Sequence, residues 1–200
     1  MYRTVLGIVS LLFTSILVAQ DQPEEAKQIN IVYGANFTKN EKEYPGASIF
    51  SKDERQVQFE HQGADLWCDI AIFFQKENRL EARGNVLLKQ GDSVEMTSQK
   101  ITYKGDIKLA KAWGNVVLTN SDMTLKTDTL RLDREKQEAY YKDYGTVIDS
   151  TNILKSKVGR YFMERKKYQF LDSVHIDNPE YILDSEQLDY YTSSKNAYMY

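Results

Sequence analysis

The sequence predicts an all-β protein built from repeats, in which stacked antiparallel strands bend into two facing walls. Three observations predict this fold: a motif that returns about every thirty residues, apolar alternation with period two, and one break of that alternation in each repeat. The motif is anchored by valines spaced 29, 30, 31 and 27 residues apart, at positions 57, 86, 116, 147 and 174. A period in this range is typical of architectures in which each unit stacks on its neighbours.

The chain begins with a short apolar segment. Arg3 precedes a mostly apolar stretch at 5–19, and the sequence becomes abruptly polar from Gln20. This stretch is shorter than the roughly 20 residues that a helix needs to span a bilayer. We therefore expect a cleaved secretory signal at 1–19 rather than a retained anchor, followed by a flexible lead-in at 20–28. We expect one β-repeat domain at 29–200.

The next elements are a first strand at 29–32 and a polar loop at 37–45, before the repeats begin at Val57. In the unit at 79–108, apolar residues alternate along each strand, and Gly-Asp pairs near 91 and 105 predict hairpin turns. The expected inward positions of this unit are Val86, Leu88, Val94, Met96, Ile101 and Tyr103. The following units supply Val116, Leu118, Met123, Leu125, Leu130, Leu132, Val147, Val174 and Ile176. The pattern thins at 145–161, so the register there is less well defined.

The phase of the alternation changes once in each unit. Val94 and Met96 fall on one parity, whereas Ile101 and Tyr103 fall on the other, and the same change follows Leu125. An extra residue at a constant place in each strand predicts a β-bulge or bend. A bend repeated in every unit would fold the stacked strands into two walls with the apolar positions between them.

Composition narrows the class of function. The chain has 26 basic and 29 acidic residues with no basic block, so nucleic acid is not an expected partner. Cys68 has no second cysteine with which to form an internal disulfide, and we expect it to be a buried strand residue. Three prolines, ten glycines and fourteen tyrosines suit strands better than helices.

Candidate catalytic and metal-binding groups are weak. His61 and His175 lack a nearby Cys or His, so we expect no metal site and no cofactor. The acids Asp92, Asp106, Asp122 and Asp133 suit turns better than paired catalytic carboxylates. We therefore predict no enzymatic activity. The aromatic residues suit cross-strand pairing or, alternatively, a platform for sugars. This set comprises Tyr140, Tyr141, Tyr144, Tyr161, Phe162, Tyr168 and Phe170.

Several short motifs resemble the OstA-like family, which includes the lipopolysaccharide-transport protein LptA and the N-terminal domain of LptD. The motifs are Val57-Gln58-Phe59-Glu60-His61-Gln62-Gly63, Trp67-Cys68-Asp69-Ile70-Ala71, Glu81-Ala82-Arg83-Gly84-Asn85-Val86 and Lys89-Gln90-Gly91-Asp92. The resemblance covers about 29–200 and implies a V-shaped β-jellyroll in the periplasm. It also implies an apolar groove, lined by the inward positions named above, that holds the acyl chains of lipid A.

Two functions remain open at this point. The resemblance implies a non-enzymatic carrier or bridge that moves lipopolysaccharide toward the outer membrane. The alternative is a secreted β-repeat scaffold that binds protein or glycan on its outer faces, around a closed core. The motif that opens a unit recurs at 196–200, so we expect either a fragment of a longer, LptD-like protein or a last strand completed by a partner. Unpaired strand edges predict end-to-end homo-oligomers or pairing with other Lpt bridge components.

Overall fold

The computed structural model describes residues 28–200, and these residues form an all-β protein. The predicted signal at 1–19 and all but the last residue of the lead-in lie outside the described residues. Seventeen antiparallel strands and a single 3-10 turn at Gln75–Glu77 make up the regular structure of this part of the chain. The strands are β1 (Asn30–Tyr33), β2 (Asn36–Thr38), β3 (Ser48–Ser51), β4 (Val57–His61), β5 (Ala64–Cys68), β6 (Ile70–Phe74), β7 (Arg79–Gln90), β8 (Val94–Lys104), β9 (Leu109–Asn120), β10 (Thr124–Asp133), β11 (Glu138–Tyr141), β12 (Gly145–Ile148), β13 (Ile153–Ser156), β14 (Val158–Phe162), β15 (Lys167–Asn178), β16 (Tyr181–Tyr191) and β17 (Asn196–Met199).

The strands form two walls, because each long strand contributes one half to each wall. The front wall comprises β2, β3, β6, 79–83, 100–104, 109–113, 129–133, β11, β14, 167–171, 187–191 and β17. The back wall comprises β1, β4, β5, 86–90, 94–98, 116–120, 124–127, β12, β13, 174–178 and 181–185. The predicted two-walled, repeat-built fold is confirmed.

The predicted bend is also confirmed. The strand register shifts between Arg83 and Val86 in β7, and again between Leu171 and Val174 in β15. At the first bend, Gly84 and Asn85 both have positive φ, at 76° and 44°. Two consecutive left-handed residues reverse the pleat, which is why apolar residues change parity at this point.

The beginning of the described chain matches the sequence in part. The predicted strand at 29–32 corresponds to β1, which pairs with β4. The predicted loop at 37–45 is wrong at its start, because β2 occupies it and Phe37 packs against Phe50 with ring centroids 5.6 Å apart. A three-residue strand with polar neighbours is too short to leave an alternating pattern in the sequence.

The thinned pattern at 145–161 has a structural cause. Between the long strands β10 and β15, this unit uses the short strands β12, β13 and β14. The turn at 149–152 separates β12 from β13, and Lys157 interrupts the chain between β13 and β14. Val147 and Leu154 nevertheless pair directly, so the unit keeps the register of its neighbours.

Candidate functional site

The inner face of the back wall carries one continuous apolar row. Successive residues of this row are Cα partners on neighbouring strands, and all but the last are buried. The row is Leu66, Leu88, Met96, Leu118, Leu125, Val147, Leu154, Ile176 and Leu183. Its length follows from the repeat, because every unit adds residues to the same row.

The front wall carries a second inward row, which is richer in aromatic residues. The row is Leu80, Tyr103, Ala110, Leu132, Ala139, Tyr161, Tyr168 and Tyr190. Every member is buried. Tyr168 stacks on Tyr161 with ring centroids 4.3 Å apart and on Phe170 at 5.2 Å. These rings therefore pack inside the molecule, not on an outer sugar-binding surface.

The structure places all fifteen sequence-selected interior residues between the walls. The back wall and its turns supply eleven of them: Val86, Leu88, Val94, Met96, Val116, Leu118, Met123, Leu125, Val147, Val174 and Ile176. The front wall supplies Ile101, Tyr103, Leu130 and Leu132. Fourteen are buried at 4% exposure or less, and Val94 is half-buried. Sequence reasoning omitted residues that are equally interior, such as Phe59 and Leu66, because they fall in a weaker repeat.

The space between the walls is closed in this structure. Phe59 of the back wall packs against Phe50 and Phe73 of the front wall, with centroids 6.0 and 5.4 Å away. An apolar crevice beside Phe59 and Leu88 has a volume of only about 10 Å³. This volume is at the limit for one water molecule. The apolar interior is therefore a packed core here, and an acyl chain would need the walls to separate.

The walls meet along the edge opposite the bend, which we call the seam. At the seam, polar side chains at the ends of back-wall strands form hydrogen bonds with side chains at the ends of front-wall strands. The seam comprises His61, Tyr103, Asn120, Arg134, Asp149, Asn152, Tyr161 and Tyr190. His61 Nδ1 and the Tyr103 hydroxyl are 2.7 Å apart, and Asn152 Nδ2 donates to the Tyr190 hydroxyl at 3.0 Å. These bonds satisfy polar groups that would otherwise face the core.

The buried environment shifts the ionisation of several seam groups. Burial raises the pKa of the Tyr103 hydroxyl, although the Arg134 guanidinium lowers it in part. Burial alone would raise the pKa of the Asp149 carboxyl. Hydrogen bonds from the Tyr190 hydroxyl and the N–H groups of Thr151 and Asn152 outweigh burial and hold that pKa below its usual value. The seam is thus built for neutral tyrosines and an ionised Asp149 near neutral pH.

Sequence reasoning missed the seam. A signal for it was present, because a histidine or amide ends alternate back-wall strands at His61, Gln90 and Asn120. These residues recur with the same thirty-residue period as the apolar motif. The sequence alone does not distinguish these side chains from ordinary turn residues, because it does not show that the two walls touch.

The other candidate residues are dispersed. Asp92, Asp106, Asp122 and Asp133 lie at four different hairpin ends, where Asp133 accepts from the N–H of Lys136 at 3.0 Å and Asp106 from Asn78 Nδ2 at 2.7 Å. His175 pairs with Asp184, with 2.7 Å between Nδ1 and Oδ1. Within residues 28–200 no three His, Cys, Asp or Glu side chains form a group that could hold a metal ion.

Cys68 is fully buried in β5, and burial raises the pKa of its thiol to about 12. In the same part of the chain, no helix has the length and hydropathy needed to cross a membrane.

Comparison with known families identifies the repeat. A family described as OstA-like protein matches residues 27–186, which is most of the chain. The chain belongs to the OstA-like family. This match spans every bend from β7 to β15, so the OstA-like repeat and the two-walled fold cover the same residues.

Solved structures offer a looser likeness for this OstA-like chain. One of them is LptH, the LptA-homologous periplasmic component of the conserved lipopolysaccharide transport device from Pseudomonas aeruginosa. The two are 17% identical, the match covers 69% of this chain and 82% of LptH, and the TM-score is 0.31. Identity and superposition are too low for a ligand or partner to be transferred from LptH. No curated protein matches the OstA-like chain.

Proposed function

We propose that this OstA-like protein is a non-enzymatic lipid carrier or bridge of the periplasm. It would hold the acyl chains of lipopolysaccharide between its walls and pass them toward the outer membrane. The observation that carries the proposal is the continuous apolar row of the back wall, which runs through every repeat from Leu66 to Leu183. Family membership supports the same function.

The energetics favour such a path. Removing acyl chains from water is worth about 0.8 kcal/mol per methylene group. A carrier must also let the lipid move on, so the binding energy should change little along the path. The row supports this because its members are similar aliphatic residues, such as Leu88, Met96, Leu118 and Leu125, spaced one strand apart.

A second candidate function is a scaffold that binds protein or glycan on its outer faces. The closed interior favours it, because buried residues of both walls form a single packed cluster. Ile182 of β16 is 70% exposed and has the outward parity of its strand, so a partner could cover it. The two candidates differ in one respect that can be measured: only the carrier needs its inner face to contact lipid.

Site-specific photo-crosslinking separates the two candidates. We would place a photoreactive amino acid at Leu88, Met96 or Leu118, and at Leu87 or Val117 as matched controls on the outward parity of the same strands. A carrier predicts lipopolysaccharide adducts in envelopes from the inward positions only. Adducts from neither set, with folding shown by circular dichroism, would favour the scaffold. Equal labelling of both sets would contradict the inward assignment.

We also propose that molecules join end to end through strand pairing. Within the described residues, β1 pairs only with β4, and β17 pairs only with β16. The end at 29–32 of one molecule would meet the end at 197–200 of another, or of a related bridge component. Such pairing would use the unpaired backbone N–H and C=O groups that each edge strand presents. The proposed periplasmic function also requires that the protein be exported and its signal removed. Mass spectrometry of the protein from its native envelope tests this, and we expect loss of residues 1–19.

A further inference from the structure

Arg134 is a buried cation at the seam, immediately after β10. Its side chain is 6% exposed and crosses from the front wall to the turn between β4 and β5. Nε donates to Gln90 Oε1 at 3.0 Å and Nη2 donates to the Gln62 carbonyl at 3.0 Å. Nη1 donates to the Tyr103 hydroxyl at 2.6 Å and to the His61 carbonyl at 3.2 Å.

All four acceptors of Arg134 are neutral. No carboxylate of residues 28–200 forms an ion pair with its guanidinium. Glu60 of β4 is close enough for Arg134 to help lower the pKa of its carboxyl, but its carboxylate accepts hydrogen bonds from the Gly63 N–H and from Asn30 Nδ2 instead. Burying a charge without a direct ion pair is costly even when most of its donors are hydrogen-bonded. The seam therefore contains a buried arginine that feels the Glu60 carboxylate at longer range but forms no ion pair with it.

Closing the seam does not require that charge. Farther along, Asn120 joins Tyr161 and Asn152 joins Tyr190 with neutral hydrogen bonds of 3.1 and 3.0 Å. Those contacts link the same two walls in the same way. Because a neutral amide is sufficient at Asn120, closing the walls does not by itself account for the cation at Arg134.

An amphiphile held between the walls would bring its headgroup to this edge. Its acyl chains would occupy the apolar interior, whereas its polar headgroup could not leave water without a large desolvation cost. The headgroup would thus emerge where the walls separate. Arginine binds phosphate through two parallel N–H···O bonds, which are stronger than the neutral bonds that Arg134 makes in the closed form.

We propose that Arg134 is a phosphate-binding residue of the seam. In the lipid-free protein it holds the walls together through Gln62, Gln90 and Tyr103. When acyl chains enter, it exchanges these neutral acceptors for the phosphate group of the same amphiphile. The inference rests on the proposed carrier function and adds the recognition of an anionic headgroup. The crevice lined by Phe59, Leu66 and Leu88 also touches His61 and Tyr103, two residues that accept hydrogen bonds from Arg134. The walls would first separate at this crevice.

The test is a competition assay on the purified full-length mature protein. We would measure displacement of labelled bis-phosphorylated lipid A by unlabelled lipid A, by dephosphorylated lipid A and by inorganic phosphate. The wild type should prefer the phosphorylated lipid by about tenfold, as expected for charge-assisted hydrogen bonds. Arg134→Gln should bind both lipids with nearly equal affinity, and Arg134→Lys should keep part of the preference.

Arg131→Gln is the matched control, because Arg131 is exposed on the outer face of β10 and undergoes the same chemical change. It should keep the wild-type preference. The ratio of the two affinities reports headgroup recognition, so a loss of stability in Arg134→Gln would lower both affinities and leave the ratio unchanged. Circular dichroism checks folding, and Arg134→Lys provides a second variant if Arg134→Gln does not fold.

Each remaining outcome has a defined meaning. If Arg134→Gln keeps the tenfold preference, or if Arg131→Gln loses it, the assignment of Arg134 is overturned. If the wild type binds both lipids equally, the assignment is again overturned while the carrier function stands. If the wild type binds neither lipid, the carrier function itself fails. Displacement by inorganic phosphate as effective as that by lipid A would assign Arg134 to free phosphate and overturn the headgroup role.

Discussion

The side-chain amide of Asn120 donates a hydrogen bond of 3.1 Å to the hydroxyl of Tyr161. Asn120 is the last residue of β9 in the back wall, and Tyr161 belongs to β14 in the front wall. The bond therefore ties the two walls at the seam, 41 residues apart in sequence. It shows that the edge opposite the bend is held by specific polar contacts as well as by apolar packing.

We predict that Tyr161→Phe lowers the free energy of unfolding by about 1 kcal/mol, the net worth of one hydrogen bond. Denaturant titration followed by circular dichroism measures the change. Tyr140→Phe is the matched control, because Tyr140 lies on the outer face of β11 and its hydroxyl makes no hydrogen bond within residues 28–200. It should change stability by less than about 0.5 kcal/mol.

A double-mutant cycle isolates the seam bond. Asn120→Ala alone should cost more, because Asn120 Oδ1 also accepts from the N–H groups of Asp122 and Met123 at 2.9 and 3.0 Å. Combined with Tyr161→Phe, it should reveal a coupling of roughly 0.5–1.5 kcal/mol. Additive costs would mean that the bond contributes nothing to closing the seam.

At the bend, Gly114→Ala should destabilise the protein more than Gly91→Ala. Both glycines have positive φ, at 79° and 54°, so alanine is conformationally strained at either position by about 1 kcal/mol. A Cβ on Gly114 would also lie 2.7 Å from Gln99 Oε1, whereas a Cβ on Gly91 would meet nothing within 4 Å. Thermal melts measure the difference, and equal losses would show that the Gln99 side chain moves aside freely.

Stability should fall in acid partly because of Asp149. Its folded-state pKa lies below the ordinary value of an aspartate, so the ionised group stabilises the fold at pH values above that ordinary value. That contribution is lost as the pH falls through the lowered pKa. Asp149→Asn should therefore be less stable than the wild type at neutral pH, with the difference shrinking as the pH falls through the lowered pKa of Asp149. Asp143→Asn is the exposed control, and an identical pH profile for both variants would contradict this role.

Proline in β17 should block end-to-end assembly only where it removes an outward N–H. The Tyr200 N–H donates to the Gln187 carbonyl, and Tyr198 pairs with Asp189, so the N–H groups of Tyr198 and Tyr200 face β16. The N–H of Met199 faces away from β16. Met199→Pro should thus reduce concentration-dependent oligomers seen by light scattering, and Met199→Ala should not. A wild-type protein that stays monomeric at high concentration would contradict the pairing.

Several features of the candidate site could be read from the sequence. The parity of Leu88 and Met96 placed them on the inner face, and the change of parity before Ile101 located the bend. Both follow from local geometry, because side chains alternate along a strand and a left-handed residue pair such as Gly84-Asn85 reverses that alternation. The interior role of Leu66 was harder to see, because it lies in one of the weaker copies of the repeat.

By itself, then, the sequence determined the strands, their period, the bend and the residues that point inward. Only the tertiary structure decided that the walls close on each other. His61 reaches Tyr103 across 42 positions, and Arg134 reaches the carbonyl of Gln62 across 72. Such contacts depend on the distance between the walls, which is set by the summed volumes of the side chains packed between them. A period of thirty residues specifies which residues share a wall, but it carries no information about that distance.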